Sequence, residues 1–217
     1  MRHLPTTNGN WATGEAIKLV KKLGAWVDQL EWVQIHPTGL VDPKNLPFRL
    51  DGEADDGDQN VVFLGPEALR GHGGILINPY TAKRFVNELG RRDEVTQVIF
   101  KDCQPTNAAF TPTKKAFSHL PNTAYLILSQ EAVTKFDEAT IRFYKSKGFF
   151  FELQGTAGLA DFIGCDENVI KQELEAYNTA FELGKDDFGK KVFPTICPLN
   201  DTYRKGFFIS RVFYILN

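Results

Sequence analysis

Cysteine is scarce in this chain, and the spacings that accompany metal or disulfide sites are missing. It has three cysteines, Cys103, Cys165 and Cys197, in 217 residues. They are far apart and odd in number, and they form neither a Cys-x-x-Cys pair nor the cysteine–histidine spacing that zinc requires. Unpaired cysteine is commonly buried as a small apolar side chain. We therefore expect free thiols and no metal site.

Long apolar runs and a large excess of either charge are also missing. The apolar runs are much shorter than the roughly 20 residues that a membrane-spanning helix needs, and the first residues lack a signal-type apolar region. The formal net charge is −2, so the chain has no net positive field with which to attract nucleic acid. These absences predict a soluble chain that acts inside a cell, in the cytosol or an organelle, with no nucleic acid partner and no membrane span.

The N-terminal segment has the pattern of an α/β unit. Residues from Thr13 to Leu23 place apolar side chains on one helical stripe and lysines on the other, and Gly24 ends the helix. Ala25–Val27 and Glu31–Ile35 follow, and their alternation and β-branched residues favour strands. A helix, a turn and a strand in this order are typical of the end of a larger α/β domain.

The main body contains helical and extended patterns without an internal repeat. A solvated loop is predicted for residues 41–60, where prolines and acidic residues interrupt any period. Together these patterns predict an α+β fold. The predicted strands are Gly74–Asn78, Arg84–Val86 and Thr123–Leu128, and the predicted helices are Arg92–Phe100, Gln130–Tyr144, Gly158–Ile163 and Glu167–Leu183.

The C-terminal residues 201–217 differ in character, because aromatic side chains crowd into a short segment. Such a segment has a high propensity for extended structure. Two alternatives follow from this composition. The segment is either a terminal strand docked on the body or, if undocked, an exposed stretch that is prone to aggregation.

Four short segments carry side chains that are useful for chemistry. Each is weak evidence by itself, because a histidine before proline often only ends a strand, and a pair such as Glu67 and Arg70 is often a solvated surface bridge. Gly71, Gly73 and Gly74 would allow a phosphate or a ring to approach, but they lack the G-x-G-x-x-G spacing. By residue chemistry alone, an anion or dicarboxylate site is indicated. The segments are Thr6–Gly14, Gln34–Gly39, Pro66–Gly74 and Arg84–Asp93.

The order and spacing of these segments, over roughly residues 4–95, resemble the soluble FAD-containing fumarate reductases of the succinate dehydrogenase/fumarate reductase flavoprotein family. The matching runs read Leu-Pro-Thr-Thr-Asn-Gly, Trp-Ala-Thr-Gly, Gln-Ile-His-Pro-Thr-Gly, and Glu-Ala-Leu-Arg-Gly-His-Gly-Gly through to Gly-Arg-Arg-Asp. A weaker likeness continues at residues 161–178 and 184–189. The order of the motifs is far more specific than any one of them.

The resemblance implies a capping, or clamp, domain, which in this family interrupts the flavin domain and holds fumarate against it. On that basis residues 1–35 are the C-terminal remnant of the first part of the FAD-binding domain. Residues 36–200 are the capping domain, and residues 201–217 are an atypical aromatic tail. The implied fold is α+β, a capping domain with a short α/β remnant of the FAD-binding domain at its N-terminus.

The resemblance also implies roles for individual residues. In this family fumarate is reduced to succinate by a hydride from FAD and a proton from an arginine. Arg92 would be that proton donor, with Glu67 and Arg70 as the relay that returns its proton, because an arginine is normally locked in its protonated state. The implied substrate-binding residues are His36 and Thr38, and the implied flavin-binding residues are Thr7, Asn8, Gly9 and Gly14.

The chain also departs from the family pattern. It lacks the G-x-G-x-x-G nucleotide motif and the later His-x-x-Met-Gly-Gly segment with its substrate-binding arginine, and Pro66 stands where relatives often have a hydroxyl residue. We therefore expect a fragment whose full-length relatives contain FAD and bind a fumarate- or succinate-type dicarboxylate. This chain alone is expected to bind no cofactor and to be inactive. The alternative is a non-catalytic truncated paralogue, acting as an interaction module or self-associating through the surface that faces the flavin domain.

Overall fold

The structure, a computed structural model, describes residues 11–41, 63–109, 122–197 and 206–216, together with residues 6, 8 and 9. The flavin-binding role predicted for Thr7 and most of the loop predicted at residues 41–60 lie outside the described residues. The described part includes every other residue to which the sequence assigns a role in chemistry.

Helices and strands are both well represented in the described residues, which confirms a mixed helix-and-strand fold. The strands are β1 (Ile35–Leu40), β2 (Phe63–Leu64), β3 (Ile75–Ile77), β4 (Thr123–Ser129), β5 (Phe151–Leu153) and β6 (Phe207–Leu216). The helices are α1 (Glu15–Lys22), α2 (Ala68–Gly71), α3 (Arg92–Asp102), α4 (Gln130–Phe136), α5 (Glu138–Lys147), α6 (Gly155–Ile163) and α7 (Glu167–Leu183), with a short 3-10 helix at Pro105–Asn107.

The described strands join one antiparallel sheet in the order β2-β1-β6-β4-β3, and β5 also pairs with β6. Strand β6 lies at its centre. Along one edge it pairs with β4 from Phe207 to Phe213, and along the other edge it pairs first with β5 and then with β1. The aromatic C-terminal segment therefore forms the docked strand, which is the first of the two alternatives predicted for it.

Strand β6 separates two hydrophobic cores, because successive side chains of a strand point to opposite faces of the sheet. Phe208 and Val212 are buried in one core, and Phe207 and Ile209 are buried in the other. Helices α3, α4 and α5 contribute to the first core, and helices α6 and α7 contribute to the second. Helices thus cover both faces of the sheet, and they bury the side chains of residues 207–210 and of Val212.

The longest helices begin close to where the sequence places them. Helix α7 spans Glu167–Leu183 as predicted, and Asp166 caps it by accepting a hydrogen bond from the Asn168 N–H at 2.7 Å. Helix α3 begins at Arg92, also as predicted, and continues to Asp102. Within the part of the chain that the structure describes, no helix is long and apolar enough to cross a lipid bilayer.

The single helix predicted over Gln130–Tyr144 is wrong, because Asp137 divides it into α4 and α5. The Asp137 carboxylate accepts hydrogen bonds from the N–H groups of Ala139 and Thr140, each at 3.1 Å. An aspartate in this position starts a helix more readily than it continues one. The apolar period alone does not reveal this interruption, because α4 and α5 both bury apolar side chains in the same core.

Two strands predicted near the N-terminus are also wrong. Ala25–Val27 and residues 31–34 form no strand, and β1 begins only at Ile35. Trp26 and Trp32 in this segment are highly exposed. Strand propensity is expressed only where a neighbouring strand completes the ladder, and the described strands pair elsewhere.

The strand predicted at Arg84–Val86 is reduced to a single bridge between Arg84 and Ile77. Beyond the bridge, the buried side chain of Arg84 is hydrogen-bonded to Glu88 and Asp186. These two charged partners, Glu88 further along the same segment and Asp186 on another loop, therefore override the extended pattern.

Replacing Ile209, which is fully buried at the centre of β6, with alanine should lower the free energy of unfolding by about 2–5 kcal/mol, because apolar contact is lost and a cavity remains. Ile196→Ala is the matched control, since Ile196 is 44% exposed, and it should change this free energy by less than about 0.5 kcal/mol. Urea unfolding followed by circular dichroism measures both. Equal losses in the two variants would contradict the central position of β6.

Candidate active site

His36 lies on β1 at a break in the ladder with β6. His36 pairs with Ile215 and Gly39 pairs with Phe213, so Pro37 and Thr38 together oppose one residue of β6. Such a bulge suits proline, which has no N–H to donate to the ladder. It also frees the N–H of Thr38 for a contact with a side chain.

Thr38 sets the tautomer of the His36 ring. Its N–H donates to His36 Nδ1 at 3.2 Å, and its hydroxyl lies 2.7 Å from the same nitrogen. A ring nitrogen that accepts from a backbone N–H carries no proton, so neutral His36 holds its proton on Nε2 and donates from there. Thr38 is itself fully buried. Its contact is with the histidine, and its predicted contact with a substrate stays a prediction.

Burial lowers the pKa of His36 to about 4, and the positive charge of Arg92 acts in the same direction. Arg70 also lowers this pKa, while Glu67 opposes the shift. His36 is therefore neutral at pH 7, in agreement with the contact from Thr38. The fold has thus brought into one neighbourhood the histidine, the glutamate and both arginines that the sequence singles out.

Glu67, Arg70 and Arg92 form one hydrogen-bonded group, the arginine–glutamate cluster. Glu67 Oε1 accepts from Arg70 Nη2 and from Arg92 Nε, both at 2.8 Å, and Glu67 Oε2 accepts from Arg92 Nη2 at 2.9 Å. Arg92 therefore binds the carboxylate with two donors, the most specific arrangement of this pair. Glu67 immediately precedes α2, Arg70 lies within it, and Arg92 is the first residue of α3.

The arginine–glutamate cluster runs from the interior to the surface. The side chain of Arg70 is 3% exposed, that of Arg92 is 29% exposed and that of Glu67 is 38% exposed. Two guanidinium groups and one carboxylate give a net charge of +1, and neutral His36 adds none. The cluster as a whole is therefore cationic, and Arg92 is the guanidinium group that an anion from solvent can reach.

Each member of the cluster has a pKa displaced from its usual value, by its neighbours or by burial. Hydrogen bonds from Arg92 hold the pKa of the Glu67 carboxyl below its usual range, and the same contact raises the pKa of Arg92. Burial lowers the pKa of Arg70, although the charge of Glu67 opposes this. The carboxylate is therefore ionised at neutral pH, and Arg70 is the guanidinium from which a proton is removed more easily.

Gln34 belongs to the site, although the sequence reasoning assigned it no role. Arg92 Nη1 donates to Gln34 Oε1 at 2.7 Å. Gln34 lies two residues before His36, so one short stretch of chain supplies both the histidine and a hydrogen-bond acceptor for Arg92. Its place in the Gln-Ile-His-Pro-Thr-Gly motif is the signal that could have identified it.

A second set of charges, the buried ion cluster, consists of Arg84, Glu88, Asp186 and Lys190. Glu88 Oε1 accepts from Arg84 Nε at 2.8 Å, and Glu88 Oε2 accepts from Arg84 Nη2 at 2.9 Å and from Lys190 Nζ at 2.8 Å. Arg84 Nη2 also donates to Asp186 Oδ2 at 2.8 Å. Two positive and two negative charges balance, as a buried set requires. The sequence reasoning missed this cluster, although Arg84 and Glu88 are four residues apart in the chain, and so are Asp186 and Lys190.

The buried ion cluster keeps its charges in the interior. Burial raises the pKa of the Glu88 carboxyl, but hydrogen bonds from Arg84 and the charge of Lys190 outweigh it, and the net shift is downward. The Arg84 guanidinium carbon and Lys190 Nζ each lie 5.0 Å from the centre of the Tyr177 ring. The aromatic face adds a favourable contact for both cations.

Gly73 and Gly74 serve packing within the protein. Gly73 has a φ of +115°, and a Cβ there would lie 2.1 Å from Thr195 Oγ1. A Cβ on Gly74 would lie 2.6 Å from the carbonyl oxygen of Leu69. The close approach that these glycines allow is therefore taken up by the protein's own atoms.

The three cysteines all lie in the described residues and form no disulfide. Cys103 and Cys197 are buried and Cys165 is half-buried. Burial raises the pKa of Cys165 to about 11 and that of Cys197 to about 12, so neither is a thiolate at neutral pH. Over the described ranges, no group of three or more His, Cys, Asp or Glu side chains could hold a metal ion.

The described residues predicted to bind flavin do not by themselves fit FAD. Asn8 and Gly14 are exposed, and a Cβ placed on Gly14 would meet no atom within 4 Å. A Cβ on Gly9 would meet the ring of Trp11 at 2.2 Å, but that ring is itself 84% exposed. These residues therefore enclose nothing, and their role in flavin binding stays a prediction.

Comparison with known proteins identifies the class. A family model described as an FAD binding domain matches residues 2–214, so the chain belongs to that family of flavoproteins. It is 32% identical over 216 residues to the fumarate reductase of Schizosaccharomyces pombe, covering 98% of this chain and 36% of that protein. It is 39% identical over 135 residues to fumarate reductase 1 of Saccharomyces cerevisiae, covering 61% of this chain and 26% of that protein. The resemblance to fumarate reductase-like flavoproteins is thereby confirmed.

A solved structure shares the fold. The open conformation of a flavocytochrome c3 fumarate reductase matches 98% of this chain and 30% of that chain, with a TM-score of 0.62 and 21% identity. At this identity the match supports the fold alone. The chain thus spans between 26% and 36% of the length of these three proteins.

The free energy of unfolding should fall by up to about 3 kcal/mol as the pH drops from about 6.5 to about 4. In this window the unfolded chain protonates His36, while the folded chain, with its lowered pKa, does not. The loss is complete below about pH 4. Urea unfolding at a series of pH values measures it.

In His36→Asn the slope of the free energy of unfolding against pH should be smaller between pH 6.5 and 5, whatever the variant's stability at pH 7. His72→Asn is the control, because it also removes a histidine but leaves the site groups in place. A wild-type slope in His36→Asn would show that His36 is not held neutral.

Proposed function

We propose that this chain is the capping-domain portion of a fumarate reductase-like flavoprotein, and that it supplies the proton and part of the substrate binding when a fumarate-type dicarboxylate is reduced to succinate. The observation that carries the proposal is a carboxylate, Glu67, held between Arg70 and Arg92 beside the neutral His36. In this proposal the capping domain comprises residues 36–200, residues 1–35 belong to the FAD-binding domain, and residues 201–217 are a C-terminal tail.

The charge and exposure of the site favour a dicarboxylate. The arginine–glutamate cluster carries a net charge of +1, and Arg92 is the more exposed of its two cations. His36, whose proton lies on Nε2, offers a hydrogen-bond donor without adding a charge. An anion can therefore bind Arg92 and His36 together, with Gln34 holding the Arg92 guanidinium from another side.

The cluster also has the connections that an arginine acid needs. The pair with Glu67 raises the pKa of Arg92, so Arg92 keeps its proton at rest and gives it only to a strong base, such as a carbanion beside a carboxylate. Glu67 Oε1 accepts from both arginines, so a proton can pass from Arg70 to Arg92 across a single oxygen. Burial lowers the pKa of Arg70, which favours transfer in that direction.

FAD, when bound in a complete flavoprotein, would supply the hydride. The residues of this chain would bind the dicarboxylate, orient it and deliver the proton. Because the described N-terminal residues form no enclosure that would fit a flavin, we expect the chain alone to be inactive.

Arg92→Gln should lower the kcat for fumarate reduction by about 10²–10⁴-fold, the range typical of a lost general acid, while FAD remains bound. Arg91→Gln is the matched control and should leave kcat unchanged, because the Arg91 side chain is 76% exposed and, within the described part of the chain, pairs with Asp93 alone. The measurement uses a chimaera in which this chain replaces the matching 36% of the fission yeast protein. A chimaera that binds flavin but reduces no fumarate would count against the proposal.

A second candidate function, a non-catalytic interaction module, is favoured by one observation. Helix α1 has no buried residue, and residues 11–33 expose many large apolar side chains. Exposed apolar surface of this extent is typical of a face that another polypeptide covers. The exposed side chains are Trp11, Ile17, Leu19, Val20, Leu23, Trp26, Leu30, Trp32 and Val33.

The purified chain is mixed with FAD, and the unbound FAD is then removed. The chain should show no flavin absorbance and no fumarate-dependent bleaching of a reduced dye. Bound flavin together with turnover would overturn the expectation that the chain alone is inactive.

Light scattering on the same sample tests the second candidate function, through self-association of the chain. A monomer would count against self-association, and a dimer that Leu19→Glu dissociates would support it, because Leu19 on α1 is 59% exposed.

A further inference from the structure

The buried ion cluster lies directly behind the arginine–glutamate cluster, and one residue belongs to both neighbourhoods. The main-chain carbonyl of Glu88 accepts a hydrogen bond from Arg70 Nη1. The side chain of the same residue is held by Arg84 and Lys190. The position of the carbonyl that contacts Arg70 is therefore coupled to the anchoring of the Glu88 carboxylate.

Arg70 has few other supports among the described groups. Its Nη2 donates to Glu67, its Nη1 donates to Glu88, and its Nε is buried without a hydrogen-bond partner in the described part of the chain. With 3% of its side chain exposed, Arg70 has little contact with solvent to replace a lost bond. The orientation of its guanidinium group therefore depends strongly on the carbonyl of Glu88.

Glu88 is anchored by a part of the chain that is distant in sequence. Lys190, which is also fully buried, binds Glu88 Oε2 from 102 residues away. Glu88 Oε1 accepts in addition from the N–H of Leu76 on β3, at 3.3 Å. The loop after α7 and the central sheet thus both hold residue 88.

We propose that Glu88 is a positioning residue, anchored by Lys190 and Arg84, that holds Arg70 against Glu67 through its main-chain carbonyl. It touches no substrate and transfers no proton. The description of Arg70 and Glu67 as a proton relay rests on the proposed function, but the positioning does not. It is a property of this chain that can be measured without flavin or fumarate.

Arginine-selective ¹³C–¹⁵N NMR tests the proposal through the rate of rotation about the Cζ–Nε bond of Arg70. In the wild-type chain, two separately held Nη groups should give slow rotation and two resolved Nη signals. In Lys190→Met, which keeps an apolar stem but removes the ammonium group that binds Glu88, the rotation should become about tenfold faster, the factor expected for one lost buried hydrogen bond. Arg92, which binds Glu67 with two donors, should keep its wild-type rate.

Lys191→Met is the matched control, because Lys191 is the neighbouring lysine and is exposed. It should leave the rotation of Arg70 unchanged. Lys190→Arg should restore slow rotation, because it returns a cation to Glu88. A folded Lys190→Met chain with wild-type Arg70 rotation would overturn the proposal, and so would equal acceleration in Lys191→Met.

If Lys190→Met does not fold, Glu88→Asp provides the second test. It keeps the cluster neutral, but its side chain is one methylene shorter, so its carboxylate and its carbonyl cannot both keep their positions. Faster Arg70 rotation in this variant supports the proposal, and an unchanged rate overturns it. If Arg70 responds as expected while the chimaera reduces no fumarate, the positioning role stands and the proposed function fails.

Discussion

The pairing of β6 with its neighbours is the constraint on which the rest of the structure depends. β6 runs between β4 on one side and β1 and β5 on the other, so it joins the two halves of the sheet. Its alternate side chains enter the two cores, with Ile209 in one and Val212 in the other. Since β1 also carries His36, the last described strand of the chain supports a residue that lies near its beginning.

The two groups of charges illustrate two uses of ionised side chains. The buried ion cluster is neutral in total and fully surrounded, which limits the cost of removing four charges from water. The arginine–glutamate cluster has one uncompensated positive charge and reaches the surface through Arg92 and Glu67. A neutral cluster is suited to fixing the backbone, whereas a cluster with spare positive charge is suited to binding an anion. Glu88 connects the two, because its side chain belongs to the first and its carbonyl contacts the second.

Both clusters lie in a chain that belongs to the FAD binding domain family of flavoproteins. Nearly the whole of this chain, 98%, matches the fission yeast fumarate reductase, but the match covers only 36% of that protein. Its described residues provide a candidate anion site and two arginines that both donate to one glutamate, but their N-terminal part forms no enclosure that would fit a flavin. The exposed apolar side chains of residues 11–33 agree with a surface that is covered in a larger assembly.

The sequence by itself determined the family, most of the helices and four residues of the candidate site, His36, Glu67, Arg70 and Arg92. Helix α7, with its Asp166 cap, and the start of α3 at Arg92 follow from local apolar period and capping, which act within a few residues. Strand propensity at Ala25–Val27 and Arg84–Val86 gave wrong predictions, because a strand exists only where a partner strand lies beside it. Only the tertiary structure decided that β6 is central, that Gln34 binds Arg92 and that Lys190 anchors Glu88. These contacts join residues that are distant in the chain, and a local pattern carries no information about which distant partner completes a ladder or compensates a buried charge.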